Sequence, residues 1–175
     1  MAMEQCEQVD SSLSDTLTGT KHLSSLSDTL TETKHMSSSA KDLFKIYRCQ
    51  PYRFPDLMPA HIQSIDLLKG KWVQKNSERR WTFVDDDCGT WEDKVEAIHD
   101  HGMSITWNLL KGKVPHKLYS SLKVVHQFFV RGNGCDAEVT LHYQKKDAKY
   151  PEPYEYMNFL MKMLEAADKA ETDEE

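Results

Sequence analysis

The sequence predicts an α+β protein in which a long antiparallel sheet curves around one C-terminal helix. Three observations carry this. Residues 103–109 (MSITWNL) and 135–143 (CDAEVTLHY) alternate apolar and polar side chains without a miss, the period of a strand with one buried face. The RGNG at 131–134 is a hairpin signal leading into the second of these runs. Residues 151–170 (PEPYEYMNFLMKMLEAADKA) place Met157, Leu160, Met161, Leu164 and Ala167 at helical spacing, and Tyr156, Phe159 and Met163 widen that stripe. A helix this apolar must be covered, and the half-apolar sheet is the candidate to cover it.

The elements follow in order. SSLSDTLTGTKHL at 11–23 is followed at once by SSLSDTLTETKHM at 24–36, with only Gly19/Glu32 and Leu23/Met36 differing. A period of thirteen is odd, so one continuous strand would turn the two copies to opposite faces. Two copies are also too few for a stacked repeat architecture. The Ser, Thr and Asp content up to about residue 24 reads as a tail. SSSAKDLFKIY predicts a serine-capped amphipathic helix ending near Cys49, and prolines 51, 55 and 59 then impose turns or one short helix. Weaker strand patterns cover 62–69, 78–85 and 91–98, separated by KNS, DDDCG and HDHG. A longer run holds Leu122, Val124, Phe128 and Val130 on one face, together with His126.

Charge and composition narrow the function. The net charge of −6, from 22 basic and 28 acidic residues, excludes a generic nucleic-acid binder. Glu171, Asp173, Glu174 and Glu175 crowd the last five positions, which predicts a solvated, frayed end over 171–175. Cys6, Cys49, Cys88 and Cys135 show no paired spacing, so neither a disulfide framework nor a Cys-x-x-Cys motif is expected. The start, MAMEQCEQVD, is acidic and has no apolar run, and no window approaches the roughly 18 apolar residues of a membrane span. The expectation is a soluble, cytoplasmic protein without membrane insertion, a monomer or weak dimer.

Several stretches then carry a resemblance. SSA before the first helix, LLKGKW at 67–72, Trp81 in the third strand, DKVEAIHD at 93–100, ITWNLLKGK at 105–113, TLHYQKK at 140–146 and YPEPYEYMNF at 150–159 come in order without large gaps. From Leu26 to Ala170 the chain resembles the plant major latex protein-like family, within the birch-pollen-allergen-like superfamily. The resemblance implies a seven-stranded curved antiparallel sheet gripping the C-terminal helix, with two short helices closing one end. It implies a hydrophobic cavity for an apolar small molecule (a sterol, hormone or secondary metabolite) and a link to plant defence or stress. Relatives in the wider superfamily catalyse steps of alkaloid synthesis, and a protein-interaction module with a vestigial cavity is a further alternative. The register of the resemblance makes residues 24–36 the first strand, with Leu26, Leu30 and Met36 apolar, and leaves 1–23 as a disordered tail before a domain over 24–170. The chain departs from the family where Val73 and Asn76 replace loop glycines, where Lys111 and Lys113 replace acids, and where His142 and Gln144 stand in place of acids.

A cavity site needs apolar walls and a few orienting polar groups. The expected walls are Trp81, Phe83, Trp91, Ile105, Trp107, Val124, Phe128, Val139, Leu141 and Tyr143 from the sheet. Tyr156, Met157, Leu160, Met161 and Leu164 face them from the helix. His126 shares the apolar face of its run and is expected to be a core histidine or a polar contact inside the cavity; His142, on an adjacent strand, is its candidate neighbour. Tyr143, Tyr154, Tyr156 and His126 are the titratable groups with a chance to converge. No nucleophile motif, phosphate loop or paired carboxylate accompanies them, so neither catalysis nor a cofactor is expected. The HDHG turn at 99–102 falls short of a zinc site. Lys69, Lys71, Arg80, Lys111 and Lys113, with Lys75 and Arg79, are expected as a basic rim in loops at one end of the barrel.

Overall fold

The structure, a computed structural model, describes residues 26–85, 87–112 and 115–173. The expected tail at 1–23 and Lys113 lie outside the described residues. The order is β1 (Ser27–Met36), α1 (Ala40–Cys49), a 3-10 turn (Pro51–Arg53), α2 (Phe54–Leu57), β2 (Ile62–Lys69), β3 (Glu78–Phe83), β4 (Thr90–His99), β5 (Ser104–Gly112), α3 (Pro115–Leu118), β6 (Tyr119–Arg131), β7 (Gly134–Lys145) and α4 (Tyr154–Asp173). The strands form one seven-stranded sheet ordered β1-β7-β6-β5-β4-β3-β2, with every neighbouring pair antiparallel. Register shifts in β2, β4 and β6 mark bulges, which sharpen the twist and help curve the sheet around α4.

The second copy of the duplicated segment is β1, paired with β7 from Ser27↔Gln144 to Met36↔Cys135. Its end is tied down. The backbone N–H groups of Ser37 and Ser38 donate to the Asp168 carboxylate on α4, and Ser38 Oγ donates to the Asp168 carbonyl. Hydrogen bonds from Ser38 and Ser37 outweigh the effect of burial and hold the Asp168 carboxyl below its ordinary range. Ser39 then caps α1, accepting from Asp42 N–H at 3.2 Å, and Leu43, Phe44, Ile46 and Tyr47 turn inward. Pro51 and Pro55 stop α1 and begin the two short turns that follow.

The β6–β7 hairpin closes through Arg131↔Gly134, with Gly132 at φ +56°. Gly134 lies against β1: a Cβ there would stand 2.1 Å from the Met36 carbonyl oxygen. Val130, expected on the buried face, is 69% exposed because this tip projects past the core. On α4, Tyr156, Met157, Leu160, Met163, Leu164 and Ala167 are buried against the sheet. Of the acidic end expected over 171–175, residues 174 and 175 lie outside the described residues. The helix runs through Glu171 to Asp173, since Glu171 pairs with Arg53 Nη1 at 2.9 Å in a partly buried contact.

Candidate functional site

Alternation along the strands decides what enters the space between sheet and helix. On β3, Arg79, Trp81 and Phe83 face inward while Glu78 and Arg80 face out. On β4 the inward set includes Asp93 and Val95, and on β5 it includes Ile105 and Trp107. Between these strands, β6 and α4 lies a cavity of about 40 Å³, lined by Trp81, Phe83, Trp91, Asp93, Trp107, Leu109, Leu122, Val124, Phe159, Leu160 and Met163. At roughly 10–15 Å³ per water, that is room for about three waters, whereas sites for drug-sized ligands run to several hundred Å³. The aromatic side chains themselves fill the space: Phe83 and Trp91 pack edge to face at 4.8 Å, and Phe159 sits against both.

One charged side chain, Asp93, borders this otherwise apolar cavity, and a buried polar cluster lies behind it. Asp93 accepts from Arg79 Nε at 2.8 Å and from Trp81 Nε1 at 2.7 Å. Arg79 Nη2 also lies 2.7 Å from Asp93 Oδ1, off the line that a hydrogen bond needs. Burial pushes the Asp93 carboxyl up, against the Arg79 charge and the hydrogen bonds it accepts. Two N–H donors aimed at its oxygens suit a carboxylate, so the pair is an ion pair inside the core. The guanidinium lies 4.4 Å from the Trp107 ring centroid. Next to it, the His126 ring sits 5.0 Å from Trp107 and 4.5 Å from Tyr47. Burial, and then the Arg79 charge, push the His126 imidazole down to about 3, so it is neutral at physiological pH. Burial raises the Tyr47 hydroxyl well above its ordinary value.

The far end holds tyrosines. Tyr119 packs edge to face with Tyr143 and Tyr156, and its hydroxyl donates to the Pro151 carbonyl at 2.9 Å. Burial raises Tyr119 to about 12, with Glu152 and Glu155 adding to the effect.

Of the expected wall, Trp81, Phe83, Trp91, Trp107, Val124 and Leu160 border the cavity. Ile105, Phe128, Val139, Leu141, Tyr143, Met157 and Leu164 are buried in the solid core instead, and so is His126. Tyr156 packs with Trp91 at 5.5 Å, beside the cavity rather than on it. Met161 is only partly buried; Met163, two residues on, takes the cavity position.

The two histidines are not neighbours. His126 pairs with Val139 and points inward, whereas His142 pairs with Lys123 and points out, 3.2 Å from Thr29 Oγ1. The four titratable groups do not converge either: Tyr154 is exposed, and His126 sits with Tyr47, not with Tyr143 and Tyr156.

The basic rim is dispersed. Arg80 and Lys111 lie on strands, and both pair with Glu92 on the outer face. Lys69 pairs with Glu78 at 3.4 Å, Lys71 is exposed, and Arg79 is wholly buried. Sequence reasoning missed Asp93 and Tyr47 as site residues and misplaced Arg79. The signal was present in the alternation, since Arg79 shares the parity of Trp81 and Phe83.

A curved seven-stranded sheet closed on a long C-terminal helix, with an aromatic-walled cavity between them, defines a helix-grip protein. The chain belongs to the pathogenesis-related protein Bet v 1 family, whose model matches residues 25–170. It is 28% identical over 131 residues to MLP-like protein 328 of Arabidopsis thaliana, covering 74% of this chain and 85% of that one. MLP-like protein 329 of the same plant is 26% identical over 132 residues, covering 75% and 87%. Among solved structures, ginseng major latex-like protein 151 from Panax ginseng superposes with a TM-score of 0.77 at 19% identity, covering 83% of this chain and 97% of that one. Norcoclaurine synthase from Thalictrum flavum, in complex with dopamine and hydroxybenzaldehyde, gives 0.75 at 17% identity, covering 94% and 99%. Among the described residues no helix is long and apolar enough to cross a membrane.

Proposed function

We propose that this chain binds an apolar small molecule between the sheet and α4, as a cytoplasmic carrier or sensor in plant defence or stress. The observation that carries this reading is the apolar, aromatic wall of the cavity at the face where sheet and helix meet. Entry requires side chains to move, because the space at rest is about 40 Å³. Phe159 is half-buried and Met163 has three rotatable bonds, so α4 supplies the movable wall. The sheet side is stiffer, with Trp81 tied to Asp93.

Binding without chemistry is favoured over catalysis. The one carboxylate among the described residues lining the cavity, Asp93, is held by donors from Arg79 and Trp81, both of which favour its ionised form and fix it in place rather than leaving it poised to take a proton from a ligand. The fold neighbour norcoclaurine synthase is an enzyme, and its likeness to this chain extends to the fold alone. A second reading, an interaction module with a vestigial cavity, draws support from the small size of the space.

Native mass spectrometry of the protein purified from its own tissue separates the two. A co-purifying small molecule is the expected result. An empty protein that also ignores hydrophobic fluorescent probes would favour the interaction module.

A further inference from the structure

We propose that the loop between β2 and β3 docks this protein on an anionic lipid surface. Val73 and Tyr52 enter the headgroup layer, and Lys69, Lys71 and Lys75 meet the lipid charge. This stands apart from the small-molecule reading and needs no ligand in the cavity. Residues 69–75 read KGKWVQK, three lysines around a Trp-Val pair, and no acid occurs between Asp66 and Glu78.

The loop is a small closed knob. Its ends meet, since a Cβ on Gly70 would stand 3.2 Å from Ser77 Cα. Gly70 at φ +80° and Asn76 at φ +67° take the two left-handed positions. The Gln74 N–H donates to the Lys71 carbonyl at 3.1 Å, and the Ser77 N–H donates to the Gln74 carbonyl at 3.3 Å. The Asn76 N–H donates to the Val95 carbonyl on β4 at 2.8 Å. The turns are thus held from within and from the sheet, and the side chains between them stand on a fixed frame.

That frame carries apolar and basic side chains together. Trp72 is half-buried and packs edge to face on Tyr52 at 5.7 Å. Tyr52 and Val73 are 48% and 47% exposed, and Leu68 at the base of the loop is 42% exposed. Tyrosine and tryptophan favour the headgroup level of a bilayer. Lys69 holds Glu78 only loosely, at 3.4 Å with its side chain 70% exposed. Lys71 and Lys75 are exposed and have no acidic partner among the described residues. Each lysine near an anionic membrane adds attraction, and apolar burial adds to it.

The rest of the chain sets the orientation. With a net charge of −6, an anionic membrane repels the protein as a whole, so only a locally basic face can approach. An acidic protein partner would satisfy the lysines and leave Val73 and Tyr52 in water. A bilayer supplies both the charge and the apolar layer beneath it. Contact is at the surface, because no helix among the described residues is long and apolar enough to cross.

The test is sedimentation of the full chain with phosphatidylcholine vesicles and with vesicles in which about 30% of the lipid is phosphatidylserine. The anionic lipid is expected to strengthen binding about tenfold at low salt, and about 0.5 M salt to reverse the gain. Lys71→Glu combined with Lys75→Glu should abolish it. Lys117→Glu combined with Lys149→Glu, the same charge change on exposed lysines elsewhere, should leave most of it. Val73→Asp keeps all three lysines and should weaken binding severalfold. These side chains are all exposed, so thermal midpoints should match the parent. Equal binding to both vesicle types, equal losses in the two double variants, or no effect of Val73→Asp would overturn the proposal. Stronger binding to poly-glutamate than to vesicles would also overturn it, in favour of an acidic protein partner. Each of these outcomes leaves the small-molecule reading standing.

Discussion

Arg79 and Asp93 form an ion pair across β3 and β4 with side chains only 1% and 9% exposed, stacked beneath Trp107 in the middle of the core. Removing one partner strands a buried charge, which costs about 3–5 kcal/mol, whereas removing both often costs little. Arg79→Met alone is therefore expected to lose stability on that scale in urea unfolding. Adding Asp93→Asn should restore most of it. If the double variant is as unstable as the single, the pair is not the unit that matters.

His126 makes stability depend on pH. Its folded-state value of about 3 lies below the ordinary 6.5, so the unfolded chain binds the proton more readily. The contribution is fully present above pH 6.5 and is lost progressively as pH falls towards 3, at ~1.4 kcal/mol per pH unit. His126→Leu fills similar space without the ring nitrogens and should flatten that part of the profile. Unfolding free energies measured from pH 7 to pH 4 check this, and parallel profiles for the two proteins would exclude His126 as the cause.

Gly134 marks where β1 and the β6–β7 hairpin meet most closely. A methyl group there would collide with the Met36 carbonyl, which is backbone and cannot rotate away. Gly134→Ala is expected to cost about 1–3 kcal/mol, the usual penalty of overpacking. Thermal unfolding decides it, and an unchanged midpoint would mean that the end of β1 yields freely.

Residues 1–23 are expected to add nothing to the fold, because residues 27–36 already occupy the whole of β7. Deleting them should move the thermal midpoint by less than about 2 °C, below the shift of roughly 2–4 °C that losing about 1 kcal/mol gives in a domain of this size. The near-identity of the copies also predicts that the first can stand in when the second is damaged. Leu30→Pro should then destabilise the shortened chain more than the full one. A large loss of stability on deletion alone would contradict this division of the chain.

Much of the architecture was legible because it depends on local pattern. Alternation in 103–109 and 135–143, the turn at 131–134 and the serine before Ala40 each correspond to an observed element. The site was less so. Asp93 and Arg79 look like ordinary surface charges of a half-buried strand, and only the pairing of β3 with β4 brings them together. Met161 and Met163 are equally apolar, and the rotation of α4 on the sheet chooses the second for the cavity. His126 and His142 sit on adjacent strands, but the β6–β7 register turns them to opposite faces.

The sequence by itself determined an antiparallel sheet around one C-terminal helix. The choice of residues 24–36 as the first strand came from the resemblance to a known family and not from local pattern. Hydrophobic period, turn residues and caps act within a few residues of one another, so they are written along the chain. The tertiary structure alone decided that the space inside is small and aromatic, with the Arg79–Asp93 pair buried beside it. Cavity volume is the difference between the shape of the backbone and the summed volume of side chains from five separate elements. A buried ion pair exists only once two strands have aligned its partners away from water.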